Sequence, residues 1–186
     1  MLLCFLKISF LSFNCAAQNY TRVDTIPVKV NGNWLKNPWV GGHNYIQLSD
    51  IDMNFDGKKD LFVFDRTGHK VTTYINKGTA NTVDYIDSSF KYAAKFPHLE
   101  DWALIRDYNC DGKPDIMTYA VTPAAGIKVW KNTSSLGNLQ FTLQIDYIRS
   151  DYTPLNTTDP LSNLYVTRVD IHTIDDIDGD GDMDVL

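Results

Sequence analysis

The chain has 186 residues, 44% of them hydrophobic, 12% aromatic and 22% charged, with a formal net charge of −6. That composition is rich enough in apolar residues to bury a core, which excludes a disordered tail. The acidic balance excludes nucleic acid as a partner and favours cations.

In chain order, residues 1–17 come first. They form an apolar run whose only charge is Lys7 and end in Cys15-Ala16-Ala17, small residues suited to signal-peptidase cleavage. The run is too short to span a bilayer, so it reads as a cleavable secretory leader, with no membrane span after its removal. Cys4 and Cys15 leave with it, and the mature chain keeps Cys110 alone, with no internal disulfide. An exported chain without disulfides needs another brace, and bound metal ions can supply one. Residues 18–44 are a lead-in, within which 20–30 is expected to be an outer strand.

From residue 45 the chain repeats itself. Residues 52–61 read DMNFDGKKDL, 107–116 read DYNCDGKPDI and 176–185 read DIDGDGDMDV, three copies of D-x-[DN]-x-D-G-x-x-D-[apolar]. They start 55 and 69 residues apart. Each is preceded by an expected strand, at residues 45–51, 102–106 and 166–174. After the first loop come Leu61–Phe64, a turn at Arg66-Thr67-Gly68 and Val71–Asn76. After the second come Ile116–Val121, a Pro/Ala/Gly turn and Ile127–Asn132. These runs are β-branched and aromatic and are bounded by Gly, Asn and Asp, which predicts strands. The second run of each unit has the form [VI]-x-x-[YW]-x-N. Further strands are expected at 82–90 and 139–148. No stretch carries a helical period over ten residues. The expected fold class is therefore all-β, with four-stranded antiparallel blades of a β-propeller. Its units are blade 1 at 45–98, blade 2 at 99–160 and the start of blade 3 at 161–186. Asp184-Val185-Leu186 reads as the opening of a strand. The chain is thus expected to be an N-terminal fragment of about two and a half blades, completed by further blades of the same protein. Residues 20–30 would close the ring by pairing both chain ends.

The loops have the chemistry of a hard-cation site. Calcium takes six to eight oxygens, and alternate residues of a tight loop turn their side chains inward. Glycine at position 6 lets the backbone turn. Positions 1, 3, 5 and 9 then supply side-chain oxygens: Asp52, Asn54, Asp56 and Asp60; Asp107, Asn109, Asp111 and Asp115; Asp176, Asp178, Asp180 and Asp184. Position 7, which is Lys58, Lys113 or Asp182, supplies only its main-chain carbonyl. Positions 1, 3, 5 and 9 hold ten of the 23 acidic residues, carboxylates that repel one another unless a cation joins them. Loss of Lys7 with the leader takes the net charge from −6 to −7, and three Ca²⁺ ions would bring it to −1. An EF-hand requires a carboxylate at position 12, where this chain has Val63 and Thr118, and it requires helical flanks. Both are wrong here.

With an Asp at position 9 followed by an apolar strand, the loops resemble those of FG-GAP/VCBS-type repeats, the integrin-α-like β-propeller family. The likeness covers residues 40–186. The Asn- and Tyr-rich strands are similar to those of proteins secreted by Bacteroidetes-type bacteria. The resemblance implies a propeller, commonly seven-bladed, with one calcium ion in the first hairpin loop of several blades; the secretory leader implies a secreted or cell-surface location.

The remaining candidates for chemistry are few. His43, His69, His98 and His172 are scattered, with no metal-ligand spacing, and there is no nucleophile motif or phosphate loop. Cys110, inside the second loop, is at a position expected to point outward, where a packing role is preferred to a free reactive thiol. Trp34, Trp39, Trp102 and Trp130 are read as fillers between blades. Residues 147–165, rich in Asp, Thr, Asn and Pro, are the expected ligand-binding loop. The function read from the sequence is a non-enzymatic binding or adhesion module for an extracellular protein or glycan, with calcium in a structural role. The alternative is the propeller part of a secreted polysaccharide-active enzyme whose catalytic residues lie elsewhere.

Overall fold

The structure, a computed structural model, describes residues 23, 25–79, 82–121, 125–150, 162–170, 172–181 and 183–186. The expected leader at 1–17 lies outside the described residues, as do most of the expected ligand loop and Asp182. The chain divides into two units, the boundary falling between Trp39 and Val40.

The first unit holds a hairpin of β1 (Lys29–Val30) and β2 (Asn33–Trp34). Asn31 and Gly32 join them at φ 48 and 81, the pair of left-handed residues that a two-residue turn between twisted strands demands. Lys29 stacks on Trp34 at 4.3 Å, and the indole N–H of Trp39 donates to the Ile26 carbonyl at 2.7 Å. Residues 20–22 and 24 of the expected ring-closing strand lie outside the described residues. Of the rest, Lys29 and Val30 pair with Trp34 and Asn33 across the Asn-Gly turn.

The second unit is all-β and antiparallel. β3 (Ile46–Ile51), β4 (Asp60–Asp65), β5 (Lys70–Asn76) and β6 (Tyr85–Asp87) form one four-stranded meander. β7 (Ala103–Arg106), β8 (Asp115–Ala120), β9 (Gly126–Asn132) and β10 (Phe141–Ile145) form a second in the same order. Two short hairpins follow, β11 (Arg149–Ser150) with β12 (Ser162–Asn163) and β13 (Ile174–Asp175) with β14 (Asp184–Val185).

Two departures from the expected strands have local causes. Residues 82–90 give only the three-residue β6. The Ser89 hydroxyl then takes the Thr73 N–H at 3.0 Å and donates to Asp87 at 2.6 Å. That side chain replaces the next ladder rung, and a one-turn helix, α1 (Ser89–Tyr92), and a 3₁₀ turn (Ala93–Lys95) follow. The strand expected at 166–174 is confined to its last residue. Asp170 accepts the Thr167 N–H at 3.1 Å, folding that stretch into a turn. Pairing begins only at Thr173, which exchanges two backbone bonds with Leu186 at 3.0 and 3.1 Å.

Two cores alternate with the sheets. Ile51, Phe62, Phe64 and Ile75 of the first sheet pack with Ala103, Ile105 and Ile116 of the second, and Tyr92, Phe96 and Leu99 seal one side. Phe96 stacks between Phe62 and Phe141 at 4.8 and 5.2 Å. A fully buried Phe of this kind contributes about 1.5–3 kcal/mol. The second core joins Trp102, just before β7, and Met117, Ile127 and Val129 of the second sheet to Ile174, Met183 and Val185 of the last hairpin. The second sheet is therefore covered on both faces, which is why β8 reads as a nearly continuous apolar run. Trp102 and Trp130 take part in these cores, whereas Trp34 and Trp39 are exposed.

The first strands of the three repeats lie side by side. The Ala103 N–H donates to Gln47 Oε1 at 2.9 Å and the Ile105 N–H to Ser49 Oγ at 3.1 Å, tying β7 to β3. Arg106 Nε donates to the Ile174 carbonyl at 3.2 Å, tying β7 to β13. At the turn end, Arg66 reaches the carbonyls of Asp101, Arg168 and Asp170 at 2.7, 3.0 and 3.3 Å.

Candidate metal centre

Each Asp-rich loop closes a first hairpin in one register. The residue before position 1 faces position 9: Ile51 opposite Asp60, Arg106 opposite Asp115, Asp175 opposite Asp184. The position 9 carboxylate then accepts the N–H of position 2, from Met53 at 2.9 Å, Tyr108 at 3.2 Å and Ile177 at 2.9 Å. Position 1 gathers the amides of the turn. Asp52 accepts from Asp56 and Gly57 at 3.1 and 2.8 Å, and Asp107 from Asp111 and Gly112 at 3.1 and 2.8 Å. Asp176 accepts from Gly179 and Gly181 at 2.8 and 3.2 Å. Position 3 accepts the N–H of position 5 at 3.0, 3.0 and 3.1 Å. In the first two loops position 5 accepts that of position 7, at 2.9 and 3.0 Å.

The backbone turns twice to allow this. Position 6 is glycine at φ 82, 82 and 95, and position 4 is also left-handed: Phe55 at φ 63, Cys110 at 58 and Gly179 at 80. Phe and Cys tolerate that region poorly, yet the loop bonds hold them there. Cys110 points outward as expected, and it packs little. At position 4 its side chain turns out of the hairpin and is exposed, with Sγ donating to the Gly181 carbonyl of the third loop at 3.5 Å. Position 12 lies in the strand after each of the first two loops, where Val63 and Thr118 are buried and away from the turn.

Two residues outside the repeat motif complete the framework. Asn76 and Asn132 donate their backbone N–H to the second oxygen of Asp60 and Asp115, at 2.8 and 2.7 Å. Their amides donate to the position 8 carbonyls, Lys59 at 3.2 Å and Pro114 at 2.9 Å, and accept the N–H of Gly78 and Ser134. This explains the closing Asn of the [VI]-x-x-[YW]-x-N strand, a pattern visible in the sequence without its reason.

The electrostatics divide the carboxylates. Asp60 and Asp115 are fully buried. Desolvation raises their pKa against the pull of their backbone bonds, and the carboxylates at positions 5 and 1 raise it further. Asp56 is held below its ordinary value by the Lys58 N–H and Asn54. Asp111 is held low by Lys131, whose ammonium stands 3.2 Å away, and by the Lys113 N–H. In the third loop, Asp176, Asp178 and Asp184 offer oxygens within 4.8 Å of one another, the one such acidic cluster among the described residues.

These shifts have opposite consequences for stability. For Asp60 and Asp115 the folded value lies above the unfolded one, about 3.9. Their contribution is complete below that pH and is lost as pH climbs through the raised value. Asp56 and Asp111 contribute above about 3.9 and lose their contribution as pH falls through the lowered one. A carbon-detected NMR titration of metal-free protein is expected to protonate Asp60 and Asp115 before Asp56 and Asp111 as pH is lowered. The reverse order contradicts the assignment.

The donors fit a hard divalent cation: all are oxygens, and like charges are drawn into the three loops with buried carboxylates beneath the first two. Among the described residues no helix is long and apolar enough to cross a membrane. Comparison with family models, with curated proteins and with solved structures gives no match.

Proposed function

We propose that this chain is an extracellular, calcium-binding module of the FG-GAP/VCBS type, built as part of a β-propeller. Calcium braces the hairpin loops in this reading, and exposed loops take a protein or glycan ligand without catalysis. The observation that carries it is a set of three bonds common to all three loops: position 9 accepts the N–H of position 2, position 1 that of position 6 and position 3 that of position 5. The side-by-side first strands, with buried layers between successive units, support the propeller part.

Asp52, Asn54, Asp56 and Asp60 with the Lys58 carbonyl would hold the first ion. Asp107, Asn109, Asp111 and Asp115 with the Lys113 carbonyl would hold the second. Asp176, Asp178, Asp180 and Asp184 with the Asp182 carbonyl would hold the third. A bound ion supplies charge neutralisation and a fixed loop shape. The chain's part is to present preformed oxygens on short hairpins, which costs little further ordering. Calcium tolerates this irregular set better than magnesium, which demands octahedral geometry and keeps its waters. Calorimetric titration of metal-free protein should therefore give saturable binding of calcium, with magnesium weaker by about tenfold or more. Equal affinity for both ions, or none for calcium, removes the reading.

A further inference from the structure

Between the first and second Asp-rich loops lies a cleft of about 300 Å³. Phe55 and Lys59 line it from the first loop, Lys113 and Pro114 from the second, and buried Leu139 forms part of its apolar lining. Its volume is at the lower end for small-ligand sites, enough for one ring.

The polar groups of the cleft are mostly spent. Asn132 is held by its three bonds to the loop and the following turn, and the Ser134 hydroxyl exchanges bonds with Gln140 at 2.9 and 3.2 Å. Two ammonium groups are left. Lys113 Nζ is fixed by the Ser134 carbonyl at 3.0 Å and makes no ion pair among the described residues. Lys59 has only a loose, exposed pairing with Asp50 at 3.7 Å, of a kind that contributes little. In a chain of net charge −6, an anchored lysine with no ion pair among the described residues, sharing a cleft with a second lysine and an aromatic ring, selects an anion with an apolar ring face.

We infer that this cleft binds a hexuronate, a sugar ring bearing a carboxylate, and the inference rests on the reading of the chain as a glycan-binding module. Lys113 and Lys59 take the carboxylate by charge-assisted hydrogen bonds, and Phe55 covers the C–H face of the ring. Asp52 also lines the cleft and opposes an anion, so neutralising the first loop with calcium strengthens binding.

The test is an NMR titration of the isotope-labelled full chain with glucuronate, glucose and an acidic dipeptide, with calcium and with chelator. Glucuronate is expected to shift the amide signals of Lys59 and Gly112 saturably and at least about tenfold more tightly than glucose. Lys113→Met should weaken it by about tenfold, while Lys70→Met, at the end of β5 away from the Asp-rich loops, leaves it unchanged. No saturable shift, an equal response to glucose, or a preference for the dipeptide overturns the inference. Calcium uptake without glucuronate binding sinks the cleft and leaves the calcium reading intact. Glucuronate binding without calcium uptake does the opposite.

Discussion

Asp115→Ala is expected to destabilise the chain by about 2–5 kcal/mol even in chelator, and Asp60→Ala by a similar amount. Each of these carboxylates is fully buried and accepts two backbone N–H groups, one from position 2 of its loop and one from the Asn that ends the next strand. Alanine leaves both donors buried without partners, at about 1–3 kcal/mol each. Asp107→Ala is different. The amides it accepts belong to an exposed turn, so water replaces the carboxylate and the cost in chelator stays below about 1 kcal/mol. Urea denaturation of the two variants in chelator separates them. Equal losses contradict the distinction between a buried position 9 carboxylate, held by two backbone bonds besides any ion, and an exposed position 1 carboxylate.

Withdrawal of calcium carries the second large effect. An ion that binds the folded chain alone stabilises it by about 2.7 kcal/mol per site at one hundred times its dissociation constant. In a domain of this size 1 kcal/mol moves the melting midpoint by about 2–4 °C, so a single filled site is worth about 5–11 °C. Adding calcium to metal-free protein should raise the midpoint at least that far, and excess chelator should reverse it. Asp107→Ala, nearly silent in chelator, should forfeit its share only when calcium is present. A melt indifferent to calcium contradicts the bracing role.

The sheets were legible because their signal is redundant. Leu61–Phe64 and Ile116–Val121 are β-branched and aromatic, and each follows an Asp loop, so pattern and punctuation agree on β4 and β8. The candidate ligands were legible because the loop motif occurs three times. What escaped depends on partners that no local pattern reveals. Ser89 ends β6 by reaching across to Thr73, and residues 166–170 form no strand because the Thr167–Asp170 bond turns the chain. Asn76 and Asn132 stood out as a pattern, but their bond to a carboxylate 16 and 17 residues away had no local signature. The left-handed position 4 escaped because Phe55 and Cys110 are residues that disfavour it. Only Gly179 in the third loop hinted at the requirement.

The most direct measurement is calcium per chain after equilibrium dialysis, on the wild type and on Asp52→Ala, Asp107→Ala and Asp176→Ala. The account predicts three ions for the wild type and two for each variant. Calcium that stays unbound, or a count that all three substitutions leave unchanged, would contradict it.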